Sequence, residues 1–170
     1  GTAQFGLDYG VSNNTGKVRL NDVEKILTYC CENSITELDT AIAYGDAYEV
    51  LGKFDLSPFQ ITSKIPKLDP KEKFQDQVTE YIDRTFEKLN TNCLHNLLLH
   101  DEEDFYESDE IFDYLKSIKK KYNIANVGVS IYKIGEKLEE NYNSIDVMQI
   151  PGSIVDRRYE SIPFDASYLR

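Results

Sequence analysis

The chain has 170 residues, 41% of them apolar, enough for one domain with a real core. It contains no run of the ~18–20 apolar residues that a membrane-spanning helix needs. A net charge of −11 argues against a nucleic-acid partner, whose phosphates require a basic footprint.

Gly1 to Gly6 reads as a first strand, with no basic-then-apolar leader, and the start of the protein is expected a few residues upstream. Leu7 to Arg19 is a loop, dense in turn formers at Asn13-Asn14-Thr15-Gly16. Asn21 or Asp22 can cap a helix whose Val23, Ile26, Leu27 and Cys30 share one face. A short second strand, Ile35 to Leu38, leads into Asp39-Thr40-Ala41-Ile42-Ala43-Tyr44-Gly45 and a short helix. Phe59 to Ser63 is a third strand, followed by Lys64. Val78, Tyr81, Ile82, Phe86 and Leu89 repeat at helical spacing. Cys93 to Leu99 is an almost continuous apolar strand of the kind buried on both faces, and His100 follows it. Asp101 to Asp109 reads as an acidic loop, and Ile111, Leu115, Ile118 and Tyr122 mark a helix. Lys116 and Lys119 to Lys121 suit the C-terminal end of that helix dipole. Ile124 to Ser130 is a fifth strand, Ile134 and Leu138 mark a helix, and Ser144 to Ile150 is a sixth strand. Pro151 to Arg170 holds turn residues and the start of a further helix.

Alternating strands and helices predict a parallel sheet. Gly6-Leu7-Asp8-Tyr9-Gly10 lacks the glycine spacing of a doubly wound nucleotide fold. Asp39, Lys64, His100, Ser130 and Gln149 instead lie at the ends of several different strands, the pattern of a (β/α)8 TIM barrel. The expected fold is therefore α/β, one barrel domain over residues 1–170. It is expected to be incomplete, with about six βα units of eight, because a full barrel takes roughly 250 residues. Its open strand edges invite self-association. Cys30, Cys31 and Cys93 have no metal-ligand spacing and read as reduced thiols of a cytoplasmic protein.

Four residue types at strand ends suggest one chemistry. Reducing a carbonyl builds negative charge on oxygen, and a positioned acid must supply a proton. Tyr44 can be that acid if a cation beside the phenol stabilises its anion, and Lys64 is such a cation. Asp39 holds Lys64 charged and in place, and a neutral His100 orients the substrate oxygen. Taken singly, each has a plainer reading: a cap at Asp39, packing at Tyr44, a solvated Lys64, a structural His100. His95, at the start of the same strand, has only the structural one. Two histidines are too few for a metal-dependent hydrolase site of the usual kind.

Together these stretches resemble the aldo-keto reductase family. Residues Asp39 to Gly52 are similar to its D-T-A-x-x-Y-G-x-x-E-x-x-L-G signature. Thr62-Ser63-Lys64, Leu98-Leu99-His100, Gly128-Val129-Ser130 and Met148-Gln149-Ile150-Pro151 with Asp156-Arg157-Arg158 resemble later strands of its bacterial members, in order. The resemblance implies an NADPH-dependent oxidoreductase that reduces an aldehyde or ketone, with a small-molecule carbonyl substrate. It implies Tyr44 as proton donor, Asp39 and Lys64 as its tuners, and His100 as orienter of the carbonyl. Asp39, Ser130 and Gln149 would meet the nicotinamide, with Thr2 and Gly1 beside it. Two positions depart from the pattern: Tyr48 where Glu is common, with Glu49 next, and Ile131 where Asn is common. The family's pyrophosphate and 2′-phosphate contacts lie in strands beyond Arg170. The alternative is a non-catalytic barrel fragment acting in binding or assembly.

Overall fold

Short apolar runs alternate with stretches of helical period, and this order fixes the architecture. The computed structural model describes residues 1–133 and 145–152 and the backbone of 167–169. The helices are α1 (Ala3–Gly6), α2 (Leu20–Glu32), α3 (Ala47–Leu51), α4 (Phe74–Leu89), α5 (Glu102–Glu107) and α6 (Asp109–Ile118). The strands are β1 (Glu37–Asp39), β2 (Gln60–Ile65), β3 (Leu94–Leu99), β4 (Ile124–Ser130), β5 (Val147–Gln149) and β6 (Ser167–Leu169). All six strands are parallel and stand in the sheet in chain order. A doubly wound sheet reverses its order at a switch point, whereas an unbroken sequential order belongs to a barrel wall.

The sheet is strongly curled. Gln149 at the end of β5 donates from Nε2 to Asp39 Oδ2 at the end of β1, at 2.9 Å. On a flat sheet those strands would lie about 19 Å apart, four steps of ~4.8 Å. Curling thus brings the carboxyl ends of non-adjacent strands to one place.

The helix-facing side of the sheet is apolar. Leu38, Ile61, Ile65, Leu97, Leu99, Val127, Val129 and Met148 are buried in one core with Val23 and Leu27 of α2, Val78 and Ile82 of α4, and Leu115 of α6. Burial of such side chains is worth about 1.5–3 kcal/mol each. The other side of the sheet is partly polar: Asn96 donates to Thr62 Oγ1 at 2.8 Å, and Asn126 donates to Asn96 Oδ1 at 3.0 Å, a ladder across β2, β3 and β4.

Several sequence expectations are corrected. Gly1 to Gly6 contains a short helix, α1, in place of a strand. Gly6 presses its Cα against the turn before α3, so close that a Cβ there would stand 1.8 Å from the Tyr44 carbonyl oxygen. The second strand starts two residues late, at Glu37, because Ile35 is exposed and only Leu38 reaches the core. Neither Asn21 nor Asp22 caps α2; Arg19 occupies the cap position, without a side-chain hydrogen bond. Within that helix Ile26 is exposed and Cys30 only half-buried. The acidic stretch after His100 is not a loop. Asp101 accepts from the Glu103 N–H at 2.9 Å and caps α5, and the acids that follow occupy the favourable end of the helix dipole. The expected helix at Ile134 and Leu138 lies outside the described residues, and in the final stretch the described part is a strand, β6.

Candidate active site

Strands β1 to β5 each bring a polar side chain to, or one residue from, the carboxyl end. Thr62 and Lys64 share a face of β2 by strand alternation. Thr62 is the register partner of Asp39, so Lys64 stands one pleat above the end of β1. Its side chain is 2% exposed, which rules out the solvated reading. A buried ammonium must be paired and hydrogen-bonded. Lys64 Nζ lies 2.5 Å from Asp39 Oδ2 and 3.3 Å from both the Thr40 carbonyl oxygen and the Tyr44 hydroxyl oxygen.

Tyr44 reaches this group from the turn between β1 and α3. The turn is closed by Tyr44 N–H to Ala41 O at 3.0 Å and Ala47 N–H to Tyr44 O at 3.1 Å. Gly45 has φ +60, a conformation in which a side chain is strained. A Cβ on Gly45 would also stand 2.4 Å from the Gly6 carbonyl oxygen. Two glycines thus let the turn and α1 meet backbone to backbone, and the contact fixes where Tyr44 stands.

His100 is the first residue after β3. Its N–H bonds the Ile65 carbonyl at 2.8 Å, continuing the β2–β3 ladder one step further. Its ring stands edge-on to that of Tyr44, with centroids 6.0 Å apart and planes at 83°. Ser130 and Gln149 are register partners that end β4 and β5. Ser130 is buried, and Gln149 shares Asp39 Oδ2 with Lys64. Thr2 is buried beside them, and both its N–H and its hydroxyl donate to the Asp39 carbonyl oxygen at 2.9 Å. The eight residues singled out from the sequence therefore lie at or beside strand carboxyl ends, with Thr2 turned to the backbone of Asp39 and Gly1 so near that a Cβ on it would stand 3.8 Å from Asp39 Oδ1.

The electrostatics follow from burial and from the Asp39–Lys64 pair. Burial lowers the Lys64 pKa, and Asp39 partly restores it. Burial, and next the Lys64 charge, lower the His100 pKa, so its imidazole is neutral at pH 7. The Tyr44 hydroxyl differs from expectation. Burial first, and the Asp39 charge second, raise its pKa. Lys64 stands nearer to Asp39 than to the phenol, and an ion pair presents little net charge to a third group. Tyr44 is held firmly as a protonated phenol.

Residues not singled out also shape the site. Tyr48, the departure from the signature, is buried, and its hydroxyl lies 2.5 Å from Ser63 Oγ, pinning α3 to the strand that carries Lys64. Burial pushes the Tyr48 phenol up to about 12. Glu49 pairs with Lys88 of α4. A polar residue on the core-facing side of a strand, as Ser63 is between Ile61 and Ile65, is the signal that such a partner exists.

A model of the aldo/keto reductase family matches residues 1–165. A comparison with curated proteins finds no match. Among solved structures, one described as a candidate aldo-keto reductase from Pseudomonas aeruginosa superposes with a TM-score of 0.77 at 21% identity, over 95% of this chain and 65% of that one. The holo form of an aldo-keto reductase from Bacillus halodurans gives 0.67 at 21% identity, over 84% and 52%. An aldo-keto reductase from Klebsiella pneumoniae in complex with NADPH gives 0.67 at 19% identity, over 84% and 52%. The likeness at these identities is one of fold, and the chain spans 65% or less of the length of these three structures.

Proposed function

The chain belongs to the aldo/keto reductase family, and on that premise we propose that it carries the catalytic half of an NADPH-dependent oxidoreductase that reduces an aldehyde or ketone to an alcohol. The observation that carries the reading is the Lys64 ammonium, held between Asp39 Oδ2 at 2.5 Å and the Tyr44 hydroxyl at 3.3 Å at the carboxyl end of a curled parallel sheet.

In this reading the substrate carbonyl lies against Tyr44 and His100. The neutral imidazole donates an N–H to the carbonyl oxygen and fixes its direction. NADPH, when bound, supplies the hydride to the carbonyl carbon. Negative charge then grows on oxygen, and the Tyr44 hydroxyl gives up its proton there, completing the alcohol. Its raised pKa is no obstacle, since an alkoxide is a stronger base than a phenolate. It also keeps the proton on Tyr44 until that charge appears. Lys64 donates a hydrogen bond to the Tyr44 oxygen at 3.3 Å and so keeps a donor on the phenolate that forms, and Asp39 with the Thr40 carbonyl keeps Lys64 from turning away.

The residues present suit a nicotinamide. A carboxamide offers one acceptor and two donors. The Ser130 hydroxyl and the Gln149 Oε1, on neighbouring strand ends, supply the complementary groups, while Gln149 Nε2 is committed to Asp39. Thr2 keeps Asp39 at the end of β1. The Klebsiella pneumoniae structure holds NADPH, and the preference for it over NADH here rests on the family. Three free thiols, Cys30, Cys31 and Cys93, support a reducing, cytoplasmic setting.

The test is Tyr44→Phe, with turnover of a small aldehyde followed by NADPH absorbance and NADPH binding by its fluorescence. A positioned general acid contributes about 10²–10⁴-fold. A loss of kcat of that order with cofactor binding unchanged is expected. Wild-type turnover in the variant, or no NADPH-dependent reduction by the parent chain, would overturn the reading.

A further inference from the structure

Helix α5 lies directly after His100, and its acids do more than complement a helix dipole. On one side Asp104, itself buried, accepts from the Leu68 N–H at 3.1 Å, in the loop that follows β2. On the other side Glu102 Oε2 accepts from two successive backbone groups, Tyr132 N–H at 2.5 Å and Lys133 N–H at 2.9 Å, in the loop that follows β4. The Tyr106 hydroxyl adds a bond to the Lys133 carbonyl at 2.8 Å. Phe105, between them, is buried against Phe112 of α6, with ring centroids 5.6 Å apart, so the helix has a fixed seat. Glu103, the remaining acid of the turn, is exposed and pairs with Lys67.

We infer that Glu102 and Asp104 are positioning residues, which tie the His100 loop to the loops after β2 and β4 and so set His100 against Lys64 and Ser130. The main-chain ladder ends at the His100 N–H to Ile65 bond. Beyond that point, among the described residues, the three loops share no backbone–backbone hydrogen bonds, and carboxylates on α5 take over. Backbone N–H groups bonded to carboxylates are charge-assisted and stronger than neutral pairs. The inference rests on the reading that these strand ends form one active site, and its test is separable from that reading.

The chain has two histidines, His95 and His100, at opposite ends of β3. Their Cε1–Hε1 signals give a local probe and an internal reference. In Glu102→Ala and Asp104→Ala we expect the His100 signal to shift or broaden and its titration to change, with His95 unmoved. Aldehyde turnover should fall about tenfold or more in kcat, with KM changed less than about twofold. Glu102→Gln and Asp104→Asn keep an acceptor oxygen and should restore most of both, and they serve as the variants if an alanine chain does not fold. A His100 signal identical to wild type in the folded alanine variants would overturn the inference. So would equal movement of His95, which would mean a general loosening. If the parent chain reduces no carbonyl, the imidazole signals still decide whether these residues position His100.

Discussion

Replacing Lys64 with methionine tests the centre of the site and the polar tie between the ends of β1 and β2 together. Methionine keeps most of the side-chain volume and removes the charge. The variant loses the 2.5 Å bond to Asp39 and the two 3.3 Å contacts, to the Thr40 carbonyl and the Tyr44 hydroxyl. Breaking a fully buried pair from one side costs about 3–5 kcal/mol. Here Lys64 is buried but the Asp39 side chain is 25% exposed, and Asp39 keeps the Gln149 amide at 2.9 Å, so its carboxylate can recover part of its solvation. Relief of the desolvated ammonium offsets more. A net loss of about 1–3 kcal/mol remains, or roughly 2–12 °C in Tm for a chain of this size. The assay is a double-mutant cycle of Lys64→Met and Asp39→Asn, read by urea melts followed by circular dichroism. Coupling of about 1 kcal/mol or more is expected. Additive effects, or a methionine variant more stable than the parent, would refute the claim that this pair holds β1 against β2.

Three further outcomes are expected. Gly45→Ala combines a positive φ with a Cβ placed 2.4 Å from the Gly6 carbonyl oxygen, so calorimetry should show a loss of at least ~2 kcal/mol, and carbonyl reduction should fall with it. Tyr48→Phe keeps the ring and removes the partner of Ser63 Oγ, for about 1–2 kcal/mol in a denaturant melt. Burial, with the Asp101 and Glu107 charges added and the Leu68 N–H and Lys67 opposing, raises the Asp104 carboxyl from 3.8 to about 6. The folded chain then holds this proton more tightly than the unfolded one. The contribution is fully present below about pH 4 and is lost as pH rises to about 6, up to about 3 kcal/mol. Unfolding free energies measured from pH 4 to 7 should show that fall in the parent and not in Asp104→Asn.

Much of this was legible in the sequence for a physical reason. The runs Leu94–Leu99 and Ile124–Ser130 are too short for helices and too apolar for loops, and Gln60–Ile65 alternates Ile61 and Ile65 with polar residues, so all three read as strands. Their polar ends, Lys64, His100 and Ser130, therefore had to share one edge of the sheet. The failures have causes as definite. Gly1 to Gly6 looked extended because glycines flank it, but those glycines serve the approach of α1 to the Tyr44 turn, a tertiary demand with no local trace. The acids from Asp101 to Asp109 looked like a solvated loop. Whether an acid caps a helix, or bonds the backbone of a loop about 30 residues away as Glu102 does, depends on what the fold places beside it. Burial is what the local sequence does not show at Tyr44: it raises the phenol's pKa, beside a Lys64 already paired with Asp39 at 2.5 Å.

The site depends on register more than on any loop. Lys64 reaches Asp39 because Thr62 pairs with Asp39 and Lys64 lies one pleat on. A slip of one residue in β2 would turn Lys64 toward α3 and α4 and bring Ser63 into the site, since strand neighbours point to opposite faces. Ile61 and Ile65, fixed in the core behind the strand, oppose that slip, and the Tyr48 bond to Ser63 adds a polar check, because a slip would break it. Tyr48→Phe therefore carries a second consequence. If register control is shared between core and hydroxyl, the variant should lose stability while Lys64 keeps its contact with Asp39, and the Lys64–Asp39 coupling energy should be unchanged in the Tyr48→Phe background. A coupling that collapses there would place the control of register in that one hydroxyl pair.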